Sequence, residues 1–104
     1  MNILAVTACP SGVAHTYMAA EALKKAAEER HHTIKVETQG SIGIENAITE
    51  DDVKNADVII LTKDMPIKNE ARFKNHLIVR VAISDAVKKA AAIIVKIEKH
   101  LENK

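Results

Sequence analysis

A chain of 104 residues, 47% of them apolar, has the size and composition of one compact domain with one core, and residues 1–104 are read as a single domain. Fifteen basic and fourteen acidic side chains, interspersed along the chain and giving a formal charge of +1, leave no electrostatic footprint for nucleic acid or an anionic membrane. With Tyr17 and Phe73 as its aromatics, the chain has almost nothing on which to stack a base or a flavin ring, so the core must be aliphatic and rich in alanine.

The N-terminal apolar run Ile3 to Cys9 lacks a basic leader and is too short for a signal peptide, and no stretch approaches the length of a membrane span. A cytoplasmic chain without direct membrane insertion is expected. One cysteine cannot form an internal disulfide. Cys9 is therefore either a small buried hydrophobe or a reactive thiol in a reducing compartment.

Asn2 to Ala8 reads as a strand buried on both faces, followed at once by the turn formers Pro10, Ser11 and Gly12. From Val13 to about Arg30, Ala19, Ala22, Leu23 and Ala26 recur at helical spacing, with Glu21/Lys25 and Lys24/Glu28 four apart on the other side. The alanines permit close approach to a sheet. Thr33 to Thr38 is a second strand and Gln39 to Asn46 a loop. Thr49 with Glu50, Asp51 and Asp52 marks a capped, acid-led helix ending near Ala56. Asp57 to Thr62 contains the clearest buried strand, Lys63 to His76 is a loop with one helical turn, and Leu77 to Val81 is a fourth strand. Ser84 is positioned to cap a final helix with apolar positions Val87, Ala90, Ile94, Ile97 and Leu101. Strands alternating with helices predict a three-layer α/β fold: a four-stranded parallel sheet of order 2-1-3-4, flavodoxin- or Rossmann-like.

In such sheets ligands sit beyond the carboxyl ends of the strands, and the first strand-to-helix turn is the phosphate position because helix amides point there. Here that turn is Cys9, Pro10, Ser11, Gly12, Val13, Ala14, His15 and Thr16. Gly12 gives the backbone freedom to converge its amides on an anion, and Ser11 and Thr16 add hydroxyls. A thiol at the head of this loop is placed to attack phosphorus, and amides, helix dipole and His15 would all favour its thiolate.

The run A-C-P-S-G-V-A-H-T-Y-M-A-A-E-A-L at Ala8 to Leu23, V-E-T-Q-G-S-I-G-I-E-N at Val36 to Asn46, A-D-V-I-I-L at Ala56 to Leu61 and the Arg72-Phe73 region resemble the fructose-specific IIB components of the bacterial phosphoenolpyruvate-dependent sugar phosphotransferase system. The resemblance covers most of the chain. It implies that Cys9 becomes a phosphocysteine, taking its phosphoryl group from a phosphohistidine on a IIA component. It also implies that the loop from Pro10 to Thr16 binds the phosphoryl group, and that Cys9 passes it to fructose or a similar sugar held by a membrane IIC component. No metal or cofactor is implied. Ser11 stands where the family pattern has threonine, which keeps the hydroxyl.

The alternative is a low-molecular-weight tyrosine phosphatase or arsenate reductase, which shares the strand, cysteine, loop and helix. His15 stands six residues after Cys9, where phosphatases of that kind carry arginine. Arg30, Arg72 and Arg80 all lie outside the loop, so the bidentate clamp on phosphate is missing. Asp64 follows the third strand, where a general acid could stand, but nothing else in the sequence supports that role. His31 and His32 read as polar residues at a helix C-terminus, since adjacent side chains do not share a metal. Glu37, Gln39 and Ser41 either border the active face or belong to a solvated loop; Lys63, Lys68, Arg72 and Lys74 lie after the third strand, placed to meet an acidic partner, and read first as a solvated surface cluster.

Overall fold

The structure is a computed structural model that describes residues 1–10, 13–40 and 43–102, with Val13 described in its backbone alone. Five strands form one sheet: β1 (Asn2–Ala8), β2 (Thr33–Gly40), β3 (Gly43–Glu45), β4 (Val58–Thr62) and β5 (Ile78–Val81), in the order β3-β2-β1-β4-β5. β1 pairs in parallel with β2 and β4, and β4 with β5. The predicted order 2-1-3-4 is thus the parallel part of the sheet. The strand count is corrected from four to five, because β3 adds antiparallel to β2 with Gln39 opposite Ile44 and Gly40 opposite Gly43. Periodicity could not reveal three residues next to glycines. Gly43 takes φ +112, a conformation that side chains disfavour, although a Cβ there would meet nothing within 4 Å.

Alternation along the strands divides the core. Ile3, Ala5, Val58 and Ile60 face α1 (Val13–Glu29), α3 (Ile83–Lys88) and α4 (Ala90–Glu102); Leu4, Val6, Ala8, Ile59 and Leu61 face α2 (Glu50–Lys54) and the 3-10 turn Glu70–Phe73. These are the predicted three layers. Ala19, Ala26 and Ala27 of α1 are nearly or wholly buried, so the helix backbone lies close against the strands. α1 ends with His31 at φ 63, where the His32 amide donates to Ala27 O and the His31 amide to Glu28 O, a paired closure of the kind that glycine more often supports.

Two helix expectations change. The final helix is two segments, broken at Lys89 (φ −128, ψ 29), with Ala82 rather than Ser84 at the start of the first. The buried positions Ile83, Ala86, Ala90, Ile94 and Ile97 nevertheless step by three and four, so one apolar stripe runs through the break. α2 begins as predicted, with Thr49 and Asp52 forming a capping box. Among the described residues, no helix is long and apolar enough to cross a membrane.

Candidate active site

Because β2, β1, β4 and β5 are parallel, their carboxyl ends share one edge of the sheet. Cys9 follows β1 in the middle of that edge, half-buried and packed against the α1 side of the core. Four residues later α1 begins, so its first-turn amides face the turn that Cys9 heads. Pro10, Ala14 and His15 are exposed there, and Thr16 is fully buried. Ser11, Gly12 and Ser41, and the side chain of Val13, lie outside the described residues. Among the described residues, the Thr16 hydroxyl has no hydrogen-bond partner, while its carbonyl accepts from Thr7 Oγ1 at 3.1 Å, tying α1 to β1. Thr62 of β4 bonds both the amide and the carbonyl of Ala8, immediately before Cys9.

Beside this edge is a polar network that sequence reading left undecided or misassigned. Glu37 lies in β2, within the predicted strand Thr33 to Thr38, and is fully buried rather than solvated. Its Oε1 accepts from Arg72 Nη1 and the Ile48 amide, both at 2.9 Å; its Oε2 accepts from Arg72 Nη2 at 2.6 Å and Gln39 Nε2 at 2.8 Å. Burial pushes the Glu37 carboxyl upward, but the Arg72 guanidinium, the Ile48 amide and Gln39 more than offset this and hold it below the usual carboxylate range. Arg72 is therefore no solvated surface cation. It also donates to Ile48 O at 3.2 Å and lies 4.6 Å from the centroid of the Phe73 ring. Gln39 continues the network outward: its Nε2 donates to Lys68 O at 3.1 Å, and its Oε1 accepts from the Lys68 amide at 2.9 Å. The signal for this in the sequence was the pair of motifs around Glu37-Thr38-Gln39 and Arg72-Phe73, but nothing in their spacing joins them.

The remaining candidates have structural partners. Asp64 Oδ2 accepts from the Ile83 amide at 2.7 Å and so begins α3 where Ala82 offers no side-chain cap. His32 bonds Glu98 and the N-terminal ammonium of Met1. Arg30 pairs with Glu98 and Arg80 with Glu70, so with Arg72 on Glu37 each arginine of the chain is held by a carboxylate. Tyr17 in α1 donates to Glu45 in β3, which sets that edge strand against the helix.

A parallel α/β sheet with a cysteine at the carboxyl end of its first central strand, opening onto a helix N-terminus, defines a small thiol-bearing domain of the doubly wound class. The family model described as "PTS system, Lactose/Cellobiose specific IIB subunit" matches residues 4–96. The chain belongs to this IIB family of the sugar phosphotransferase system. It is 67% identical over 100 residues to the "PTS system fructose-like EIIB component 2" of Escherichia coli strain K12, covering 96% of this chain and 94% of that one. Among solved structures, an enzyme IIB subunit from Escherichia coli K12 superposes with a TM-score of 0.92 at 39% identity, covering 98% of this chain and 94% of the other. A domain of the fructose-specific IIABC component of Borrelia burgdorferi gives a TM-score of 0.86 at 48% identity, covering 91% and 90%.

Proposed function

We propose that this chain is a phosphoryl carrier in which Cys9 accepts a phosphoryl group from the phosphohistidine of a IIA component and delivers it to a sugar bound by a membrane IIC component. The observation that carries this reading is the position of Cys9, half-buried at the carboxyl end of β1 where the chain turns into the N-terminus of α1. In the first step the Cys9 thiolate attacks phosphorus, an S–P bond forms and the N–P bond breaks, its electron pair returning to the imidazole. In the second, a sugar hydroxyl attacks, an O–P bond forms and the S–P bond breaks, its electron pair returning to sulfur as the thiolate while the hydroxyl proton passes to solvent. The segment Pro10, Ser11, Gly12, Val13, Ala14, His15 and Thr16 cradles the phosphoryl oxygens, with amides at the start of α1 and the buried Thr16 hydroxyl, which has no partner among the described residues, as donors.

The similar domain from Borrelia burgdorferi belongs to a fructose-specific IIABC component, in keeping with IIA and IIC as the two partners. The 67% identity to a fructose-like component favours fructose or a fructose-like sugar. A phosphatase of the arginine-loop type is disfavoured because all three arginines are committed to carboxylates.

Incubation with phosphoenolpyruvate, the general phosphotransferase proteins and a fructose-like IIA, followed by intact-mass measurement, tests the reading. A gain of about 80 Da that requires IIA and is absent in Cys9→Ser is expected. No gain on the wild-type chain, with IIA itself phosphorylated, would refute it.

A further inference from the structure

The carrier reading uses the first of the two long motifs and leaves the second, with the Arg72-Phe73 region, unexplained. In the structure these two segments meet in the network of Glu37, Gln39, Arg72 and Lys68. We infer that Glu37, Gln39 and Arg72 are positioning residues for phosphoryl transfer at Cys9: they latch the segment after β4 to the end of β2, fixing the wall against which the phosphohistidine donor docks. The inference rests on the carrier reading.

Topology gives the latch its location. β1 lies between β2 and β4, so their carboxyl ends are two strand spacings apart, about 10 Å. The chain leaves β4 at Thr62, which is bonded to Ala8, and six residues later Lys68 is bonded through both backbone groups to Gln39. Gln39 is itself the register partner of Ala8 on the other side. The segment 63–68 therefore bridges the two neighbours of β1 at the step that ends in Cys9. Ile67, buried at 7% exposure among the residues facing α2, anchors it next to Lys68.

The chemistry of the latch is specific in geometry rather than rich in stability. A buried carboxylate and guanidinium lose their hydration on folding, and a well-packed apolar pair serves stability at least as well. What an apolar pair cannot supply is direction. Glu37 has both oxygens doubly bonded to donors, and one of those donors is the Gln39 amide nitrogen. That bond helps set which way round the Gln39 amide stands, with its nitrogen toward Lys68 O and its oxygen toward the Lys68 amide. The ion pair thus acts through Gln39 on the segment beside Cys9. A donor protein must bring its phosphohistidine to about 3–3.5 Å from the thiolate, and a wall free to move would spend docking energy on ordering.

The test compares wild type with Gln39→Ala and with the double variant Glu37→Leu/Arg72→Leu, using phosphorylated IIA as donor. Initial rates of phosphoryl acceptance give KM for the donor and kcat; thermal unfolding and the rate of Cys9 alkylation by iodoacetamide are measured alongside. Both variants are expected to stay folded with wild-type alkylation rates and to raise the donor KM by about fivefold or more. Amide exchange at Lys68 is expected to quicken in both. Gln39→Ala keeps the ion pair, so it decides the matter if the double variant does not fold. An unchanged donor KM in a folded variant whose Lys68 amide exchanges faster would overturn the inference while leaving the carrier reading intact. A wild-type chain that accepts no phosphoryl group would instead remove the carrier reading, and the latch role with it.

Discussion

Thr62 Oγ1 accepts a hydrogen bond from the Ala8 amide at 3.0 Å and donates to the Ala8 carbonyl at 3.2 Å. A side chain of β4 thereby ties down the last residue of β1, directly before Cys9. Thr62→Val keeps the shape but leaves a buried amide and carbonyl without this partner, and is expected to cost about 1–3 kcal/mol in urea unfolding. Thr62→Ser, which keeps the hydroxyl, is expected to lose much less.

Removing one member of the Glu37–Arg72 pair should harm the fold far more than removing both. Arg72→Met leaves a fully buried carboxylate facing an apolar side chain, and about 3–5 kcal/mol of stability is expected to disappear. The double apolar variant removes the unpaired charge but leaves the Ile48 amide and carbonyl without these partners, and is expected to lose the smaller amount of about 1–3 kcal/mol. The comparison is made by denaturant titration at neutral pH, and single and double variants of equal stability would count against the buried pairing.

Acid should weaken the protein at its paired carboxylates, Glu37 and Asp52 among them. The Glu37 carboxyl is held below its ordinary value, so its contribution is complete above the usual carboxylate range and fades as pH falls through the lower, folded value. Asp52 is a second case. Hydrogen bonds from Lys35 Nζ at 2.7 Å and the Thr49 amide at 2.9 Å, with the Thr49 hydroxyl, hold its carboxyl down to about 2 from an ordinary 3.8. The stability from Asp52 is present above about pH 4 and is lost between there and about pH 2. Asp52→Asn is expected to flatten that part of the stability-against-pH curve followed by circular dichroism.

Asp64 stands close in sequence to the end of β4, but its carboxylate is engaged at the start of α3. Asp64→Ala should cost roughly 1 kcal/mol, the usual worth of a helix cap. Its rate of phosphoryl acceptance from IIA is expected to match wild type, whereas a large drop in kcat with unchanged KM would restore a direct role for this acid.

The parallel strands were legible because buried runs such as Val58, Ile59, Ile60 and Leu61 need no partner to announce themselves. β3 was not, since three exposed residues next to glycines become a strand by pairing with β2, and pairing is not written in local pattern. The break at Lys89 was hidden for a related reason: the apolar stripe continues across it, so periodicity alone reads one helix. Cys9 stood out as the one thiol, heading a turn between strand and helix. Arg72 looked like a surface cation because an ion pair between residues 35 apart leaves no local trace.

What the sequence determined by itself was the alternation of strands and helices, the place of Cys9 at the first turn and the family, all of which are encoded in contiguous residues. The tertiary structure alone decided which charges are buried and what they hold. Glu37 and Arg72, Gln39 and Lys68, and Thr62 and Ala8 meet because crossover connections place β2, β1 and β4 side by side. Whether a polar side chain is solvated or satisfied inside depends on that packing, not on its neighbours in the chain.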